Sequence, residues 1–461
     1  MSQMKLFGSK RSGARLAKNR SGGAACATQT RGSAAPKRAK QRNPLKTLAI
    51  VLACVLLLEL CYFFCIYTDN AFVSKWRTAY IETAMDTLSH KWLATAFIPS
   101  EVIAKVMDSR TQALINMDGL ETTWGKQEPD AVQPQEPEEP QVPEEPQVPE
   151  NNPVDLTVVE EEDPEEAAEE AFYELFHEID RDSMEAWLAS HPEALANGWD
   201  GLYINEAGLD DAGTDIRTIY DEQVLAIDVP NQILLLRVEG SGYQGVLAIG
   251  KDNSRLKVFP SSQLGVAGEY AGTIARNNNG VLGMTGSGFI DPDGNGNGGQ
   301  LAGYAMCDGV AYGSGHMGWG NKRLELHEDN LFYIKDVSAP VGEGTTDAVE
   351  FQPALIIDGN IVVDANCGWT GLQPRACIGQ SDRYEFLMLV IEGRMPLRST
   401  GTHVIECAEI LQRHGCMQAM NLDGGTSAIM WYDGEYVTKC SNQSLPEGRP
   451  LPTAFVYQRG E

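Results

Sequence analysis

The chain has no C-x-x-C pair, so its ten cysteines lack the spacing of a cysteine zinc site. Gly286-Ser287-Gly288 lacks the G-x-S-x-G spacing of a serine nucleophile on a strand-to-helix turn. Cations are in deficit: 36 Lys and Arg stand against 64 Asp and Glu, for a formal net charge of −28. An acidic body of this kind argues against nucleic acid as a partner of the main domain. The deficit is local. Residues 1–46 contain twelve Lys and Arg and no Asp or Glu, so this arm carries +12 and the remainder −40. A basic arm next to an apolar run favours anionic lipid.

That apolar run, Leu48 to Tyr67, reads LAIVLACVLLLELCYFFCIY and has the length needed to cross a bilayer core as a helix. Glu59 is the carboxylate within it, best read as protonated or reaching the interface. The positive-inside rule places residues 1–46 in the cytoplasm, 47–68 in the lipid bilayer as a single-pass anchor of the cell membrane, and the rest outside. A cleaved signal peptide is the rival. The long basic region, the long apolar run and the lack of a clear small-x-small site favour an uncleaved anchor. Cys26 is then cytoplasmic, Cys54, Cys61 and Cys65 lie in the span, and Cys307, Cys367, Cys377, Cys407, Cys416 and Cys440 are exported. The exported six are compatible with disulfides. Cys367/Cys377 and Cys407/Cys416 are close in sequence, although Cys407 sits on a predicted helix and equally suits a buried thiol.

Residues 69–125 show helical texture, with Trp76, Tyr80, Ile81, Met85, Leu88, Trp92 and Leu93 at three- and four-residue spacing and Pro99 as an interruption. They read as one or two helices against the outer membrane face or a partner, with homo-oligomerisation as an open alternative. Residues 126–162 are acidic and proline-rich, with the hexad Pro-Glu-Glu-Pro-Gln-Val beginning at Pro137 and again at Pro143. Such sequence cannot bury enough apolar surface to fold and predicts a disordered, extended spacer. Asp163-Pro164-Glu165-Glu166 is a strong helix start and opens a short helical segment, 163–194.

From residue 195 to 461 short apolar runs alternate with Gly, Asn and Asp. The predicted strands are 224–229, 233–238, 245–249, 331–334, 354–357, 361–363, 386–391, 427–431 and 453–457, and 403–414 is the best helix, with Gly415 as its stop. The fold class is α+β: a strand-rich exported domain with few helices, preceded by one transmembrane helix and a disordered spacer.

The segment with most chemical content is Asn421-Leu422-Asp423-Gly424-Gly425-Thr426-Ser427. It places a carboxylate, an amide and hydroxyls beside two glycines, which suits close approach of a polar ligand to the backbone. Asp-Gly alone carries no such meaning. It occurs seven times, at Asp118, Asp200, Asp293, Asp308, Asp358, Asp423 and Asp433, and is a common hairpin signal. The pattern predicts a strand entering and another leaving at Asp423-Gly424, so a hairpin is expected there too, compatible with a site on the bend.

Other segments accompany it in order: Ser287-Gly288-Phe289-Ile290-Asp291-Pro292, then Arg375-Ala376-Cys377-Ile378-Gly379-Gln380, and at the end Arg449-Pro450-Leu451-Pro452-Thr453-Ala454-Phe455. Together with the NLDGGTS string they resemble the phosphodiester glycosidase family, related to the enzyme that removes N-acetylglucosamine from a sugar-1-phosphodiester and to bacterial relatives associated with exopolysaccharide. The resemblance covers about Leu195 to Glu461. One departure is Thr285, where members often carry Asn.

The resemblance implies hydrolysis of a glycosyl phosphodiester, here in cell-envelope or secreted glycoconjugates. Glycosidic cleavage needs a carboxylate to steady an oxocarbenium-like centre. Asp423 is the first candidate, Asn421 orients it or holds a sugar hydroxyl, and Asp291 is the second candidate. Arg375 is expected to grip phosphate through its planar fork, and the N–H groups of Gly424 and Gly425 to assist as an anion nest. Ser427, Ser287, Thr400 and His316 complete the candidate substrate-binding set. No cofactor is expected. The alternative is calcium in the loop Asp291, Asp293, Asn295, although its twelfth position is Ala302 rather than Glu. Fold does not fix function, so a non-catalytic membrane protein that binds glycan or wall polymer, or organises exopolysaccharide, is the rival reading.

Overall fold

The computed structural model describes residues 44–87, 90–123, 163–210, 213–313, 315, 320–364 and 371–460. The expectations for the basic arm and for the spacer at 126–162 therefore lie outside the described residues, apart from Pro44 to Lys46. The chain divides into units 1–61 and 62–461. The first contributes the start of helix α1, Pro44–Tyr67, which is long and apolar enough to cross a membrane, as an anchor or as a signal sequence.

In the second unit the segment after α1 forms α2 (Ala71–Met85), α3 (Trp92–Thr95) and α4 (Ser100–Asn116). Asn70 caps α2 by accepting from the backbone N–H groups of Phe72 and Val73. Arg77 donates to the carbonyls of Cys65, Ile66 and Thr68, which a helix end leaves without partners. Ile81, Ala84, Ala94, Ile98, Ile103 and Val106 form a small core between the three helices. Next come α5 (Pro164–Leu175), capped by Asp163 as its sequence predicts, and α6 (Arg181–Ser190).

The main body is built on three antiparallel sheets. The largest has nine strands in the order 203–205, 223–228, 233–240, 243–250, 386–391, 375–381, 416–421, 354–357, 360–361. Its period of two is visible in Phe386–Ile391. Leu387, Leu389 and Ile391 face one core, with α5, α6 and α8 (Val404–Arg413), where α7 is the short helix Ala271–Asn277. Phe386, Met388 and Val390 face the other, which is shared with the two five-stranded sheets. Burial of both faces explains why this strand reads as an unbroken apolar run. The five-stranded sheets run 332–336, 322–327, 345–351, 304–307, 310–313 and 435–436, 430–432, 280–285, 453–458, 256–260.

Strand 345–351 carries no apolar alternation and 322–327 only the pair Leu324 and Leu326, because other buried positions hold charge: Lys322, Arg323, Glu325, Asp347 and Glu350 are all 2% exposed or less. Arg323 pairs with Glu325 at 2.7 Å and His327 with the same carboxylate at 3.1 Å. Burial alone would raise the Glu325 carboxyl; hydrogen bonds from His327 and Arg323 outweigh it and hold it at about 2.

The hairpin expected at Asp423-Gly424 is not formed. Strand 416–421 belongs to the nine-stranded sheet, and the next strand, Met430–Tyr432, to a five-stranded one. Residues 425–427 form a turn of 3₁₀ helix, so the strand expected over 427–431 begins only at Met430. Hairpins do form at Asp308-Gly309, Asp358-Gly359 and Asp433-Gly434, where both residues are left-handed, with φ of 48° and 75°, 49° and 76°, and 42° and 106°. Gly424 instead has φ −102°. Cys307, Cys377, Cys407, Cys416 and Cys440 are buried free thiols, so the Cys407/Cys416 pairing is absent and the buried-thiol reading of Cys407 holds; Cys26 and Cys367 lie outside the described residues.

His177, Glu178 and Glu385 offer ligand atoms within 4.8 Å of one another, but Lys251 sits 2.7 Å from both carboxylates and supplies the positive charge there itself. Burial would raise Glu385; His177 and Lys251 hold it at about 2. The stabilisation is therefore present above the ordinary value of 4.5 and is lost as pH falls toward 2. Lys251→Met is expected to lower unfolding stability by about 3–5 kcal/mol at pH 7, because it strands buried carboxylates. Adding Glu178→Gln and Glu385→Gln should recover much of it. Equal urea midpoints for wild type and Lys251→Met at pH 7 would contradict this account.

Candidate functional site

Three strands of the large sheet reach the same end beside a cavity of about 560 Å³, a size that suits a small ligand. Register explains who meets whom. Cys377 pairs with Asn421 and the Leu422 N–H donates to Ala376 O at 2.8 Å, so continuing the ladder sets Arg375 against Asp423. Arg375 also pairs with Ile391, and the chain leaving that strand brings Arg394 to the cavity. The crossing between sheets is tight. A Cβ on Gly424 would stand 2.7 Å from Pro374 O, and Gly425 is left-handed, with φ 62°.

Asp423, Asn421, Asp291, Arg375, Gly424, Gly425 and Ser427 all line this cavity. Asp423 is partly buried. Burial pushes its carboxyl up to about 6, against the Ser427 hydroxyl, the Arg449 charge and the Gly424 N–H, while Asp291 adds to the rise. Asn421 donates its amide to Gln352 O at 2.7 Å and accepts weakly from the Cys377 thiol at 3.9 Å. The Gly425 N–H donates to Pro374 O at 3.2 Å and that of Gly424 to Asp423, so both donors of the expected nest are already engaged.

Arg375 is 5% exposed and donates to the carbonyls of Thr402 at 3.2 Å and Gly371 at 2.7 Å. Burial pulls its pKa down. Arg394 donates twice to Gln373 Oε1, at 3.0 and 2.7 Å. Among the described residues neither guanidinium forms an ion pair with a carboxylate. Asp291, by contrast, is gripped by both Nη atoms of Arg449, which hold it below the usual carboxylate range. Its second oxygen also accepts from the Gly296 N–H at 2.7 Å. This engaged carboxylate does not fit the calcium alternative, and no step is derived through a metal.

Two candidates are placed elsewhere. Ser287 is fully buried and accepts from the Thr453 hydroxyl at 3.0 Å, tying neighbouring segments together. Thr400 donates to Gly242 O at 2.9 Å. Neither lines the cavity. His316 lies outside the described residues. Thr285, at the position where relatives often carry Asn, is fully buried, and its hydroxyl has no hydrogen-bond partner. The residues that sequence reasoning did not single out are Arg394, Gln373 and Arg449, together with Asp86, Thr87 and Arg110 from the α2–α4 segment. Arg449 had a signal, as the first residue of the closing motif. Arg394 follows a strand with nothing local to mark it.

Residues 278–458 match the family model described as phosphodiester glycosidase. Over this segment the chain is similar to that family. The SPbeta prophage-derived uncharacterized protein YomE of Bacillus subtilis strain 168 is 25% identical over 156 residues, which is 31% of this chain and 24% of that protein. The match thus spans about a quarter of that relative's length. The catalytic domain of zebrafish N-acetylglucosamine-1-phosphodiester alpha-N-acetylglucosaminidase, auto-inhibited by its pro-peptide, is similar over 58% of this chain and 91% of its own, at 14% identity and a TM-score of 0.41. A hypothetical protein from Synechocystis is similar over 52% and 65%, at 15% identity and a TM-score of 0.35. The cavity is lined by residues inside the phosphodiester glycosidase segment and by Asp86, Thr87 and Arg110 outside it.

The raised Asp423 carboxyl has a stability consequence. The folded chain holds this proton more tightly than the unfolded chain does. Charged Asp423 therefore costs stability as pH rises from 3.8 through about 6. Asp423→Asn is expected to raise stability at pH 7 by at most about 3 kcal/mol, less what the solvent-facing edge screens. The gain should vanish below pH 4 in parallel denaturant titrations. An unchanged or lower stability at pH 7 would count against a strained carboxylate.

Proposed function

We propose that this chain is a membrane-anchored hydrolase that cleaves a sugar-1-phosphodiester outside the cell, with α1 as its anchor and envelope or secreted glycoconjugates as its substrates. The observation that carries the reading is the pairing, in one cavity, of a carboxylate raised to about 6 with two guanidinium groups that have no carboxylate partner among the described residues.

Ordinary glycoside hydrolysis needs two carboxyl groups, one to protonate a poor leaving group. Of the three acids that line this cavity among the described residues, Asp86 and Asp291 are tied to Arg110 and Arg449. That leaves Asp423. A single free carboxylate suits a substrate whose leaving group is a phosphate, since phosphate departs as a stable anion and asks for charge compensation rather than a proton. In this mechanism the anomeric C–O bond breaks and its electron pair stays on the phosphate oxygen. Arg375 and Arg394 take up that charge in a partly desolvated site, where such donors act most strongly. Asp423, ionised, steadies the positive charge at the anomeric carbon. Water adds there and loses a proton, giving free sugar and phosphomonoester.

The full-length chain in detergent should release sugar from members of a sugar-1-phosphodiester panel. Asp423→Asn should lower kcat/KM by about 10³-fold or more, and Arg375→Ala or Arg394→Ala by about 10²–10³-fold. Because Asp423 acts as the anion, kcat/KM should fall on the acid side of pH 6. Loss on the alkaline side of pH 6 would instead make it a proton donor. Binding of anionic wall polymer with no turnover of any panel member would support the non-catalytic reading.

A further inference from the structure

One wall of the cavity comes from the helices that follow α1. Asp86 and Thr87, just past the end of α2, and Arg110 of α4 line it opposite the family segment. They are fixed there by the body of the protein. The Leu372 N–H donates to the Thr83 hydroxyl at 2.9 Å, and Gln373 donates to the Thr83 carbonyl at 3.0 Å. A Cβ on Gly371 would meet Thr83 N at 3.0 Å and Glu82 C at 3.1 Å, so glycine is what lets the helix come this close. The far end of α4 is held as firmly. A Cβ on Gly320 would stand 2.4 Å from that of Leu114, Met117 is 4% exposed in the main core, and Thr122 is fully buried against Gln418 at 2.9 Å.

Gln373 receives Arg394 and reaches Thr83, so α2 helps to set the position of a cavity guanidinium. Arg110 is 15% exposed and contacts Asp86 at 2.5 Å. Its charge is felt by Arg375, and that of Asp86 by both Arg375 and Arg394. Among the described residues four guanidinium groups, of Arg110, Arg375, Arg394 and Arg449, therefore face one cavity, with Asp86 paired to the first and Asp291 to the last. Asp86 offsets part of this positive charge, Arg375 and Arg394 have no carboxylate of their own among the described residues, and a phosphate offers oxygens to each planar fork.

We infer that Arg110, positioned by Asp86, is a substrate-specificity residue that binds the phosphate group of the ligand, so that the site is completed by a segment outside the family domain. The assignment of an anion site stands on the cavity; the identity of the substrate rests on the glycosidase reading above.

The test uses the full-length chain in detergent with two readouts. Calorimetric titration with inorganic phosphate should show binding by wild type and a loss of about 10–100-fold in Arg110→Ala. In turnover of a sugar-1-phosphodiester the same variant should raise KM by a similar factor with kcat changed less than about threefold. Arg110→Lys keeps the ion pair with Asp86 and should give an intermediate loss; it is the deciding variant if Arg110→Ala melts early. Unchanged phosphate affinity and unchanged KM, or no phosphate binding by wild type, overturns the inference. Loss of phosphate affinity in Arg110→Ala, in a protein that hydrolyses no phosphodiester, keeps the anion site and overturns the glycosidase reading instead.

Discussion

The chain leaves the nine-stranded sheet at Asn421 and enters a different sheet at Met430, and in between it must pass against Pro374. That crossing is the constraint on which the site depends. Two glycines admit the close approach, one by lacking a Cβ and one by adopting a left-handed backbone. Because the crossing starts where strands 375–381 and 386–391 also end, Asp423, Arg375 and Arg394 come to one cavity without being near in sequence. Ser427 then turns back to the Asp423 carboxylate within the same short turn.

Charge is treated differently in the body and in the cavity. In the body, Lys251 is neutralised by Glu178 and Glu385, and Arg323 by Glu325. Each of these groups has its partner, and Glu325 and Glu385 are held low. In the cavity Arg375 and Arg394 donate to neutral oxygens and Asp423 is held high. Leaving buried charge without a partner is costly, and such sites commonly mark function. The guanidinium groups of Arg375 and Arg394, which lack a carboxylate partner among the described residues, separate the candidate site from these two ionic clusters.

The segment that follows α1 is structurally part of the strand-rich body. Lys322 donates to Leu120 O at 2.7 Å, Asp336 accepts from the Gly119 N–H at 2.8 Å, and the Thr123 N–H reaches Asp358 at 2.9 Å. Helices α5 and α6 likewise bury Phe172, Phe176 and Met184 in the main core. The cavity thus draws on chain from well outside residues 278–458.

Local chemistry was enough to determine much of this protein. The apolar run makes α1, Asp163-Pro164 starts α5, Gly415 stops α8, and Phe386–Ile391 forms a strand because its whole surface is apolar. The string Asn421 to Ser427 marked the site because its residue types and close-packing glycines are read along the chain. Three things were decided only in three dimensions. The strands at 322–327 and 345–351 obscure their pattern because buried positions hold charge, matched by Glu325 for Arg323 on the same strand and by Asp336 for Lys322 on the neighbouring one. The turn at Asp423 is a crossing rather than a hairpin, since the same dipeptide serves both and strand pairing at a distance selects between them. Arg394 and Arg110 enter the site through contacts to Gln373 and Asp86. No sequence spacing encodes those contacts, because they depend on how separate elements pack.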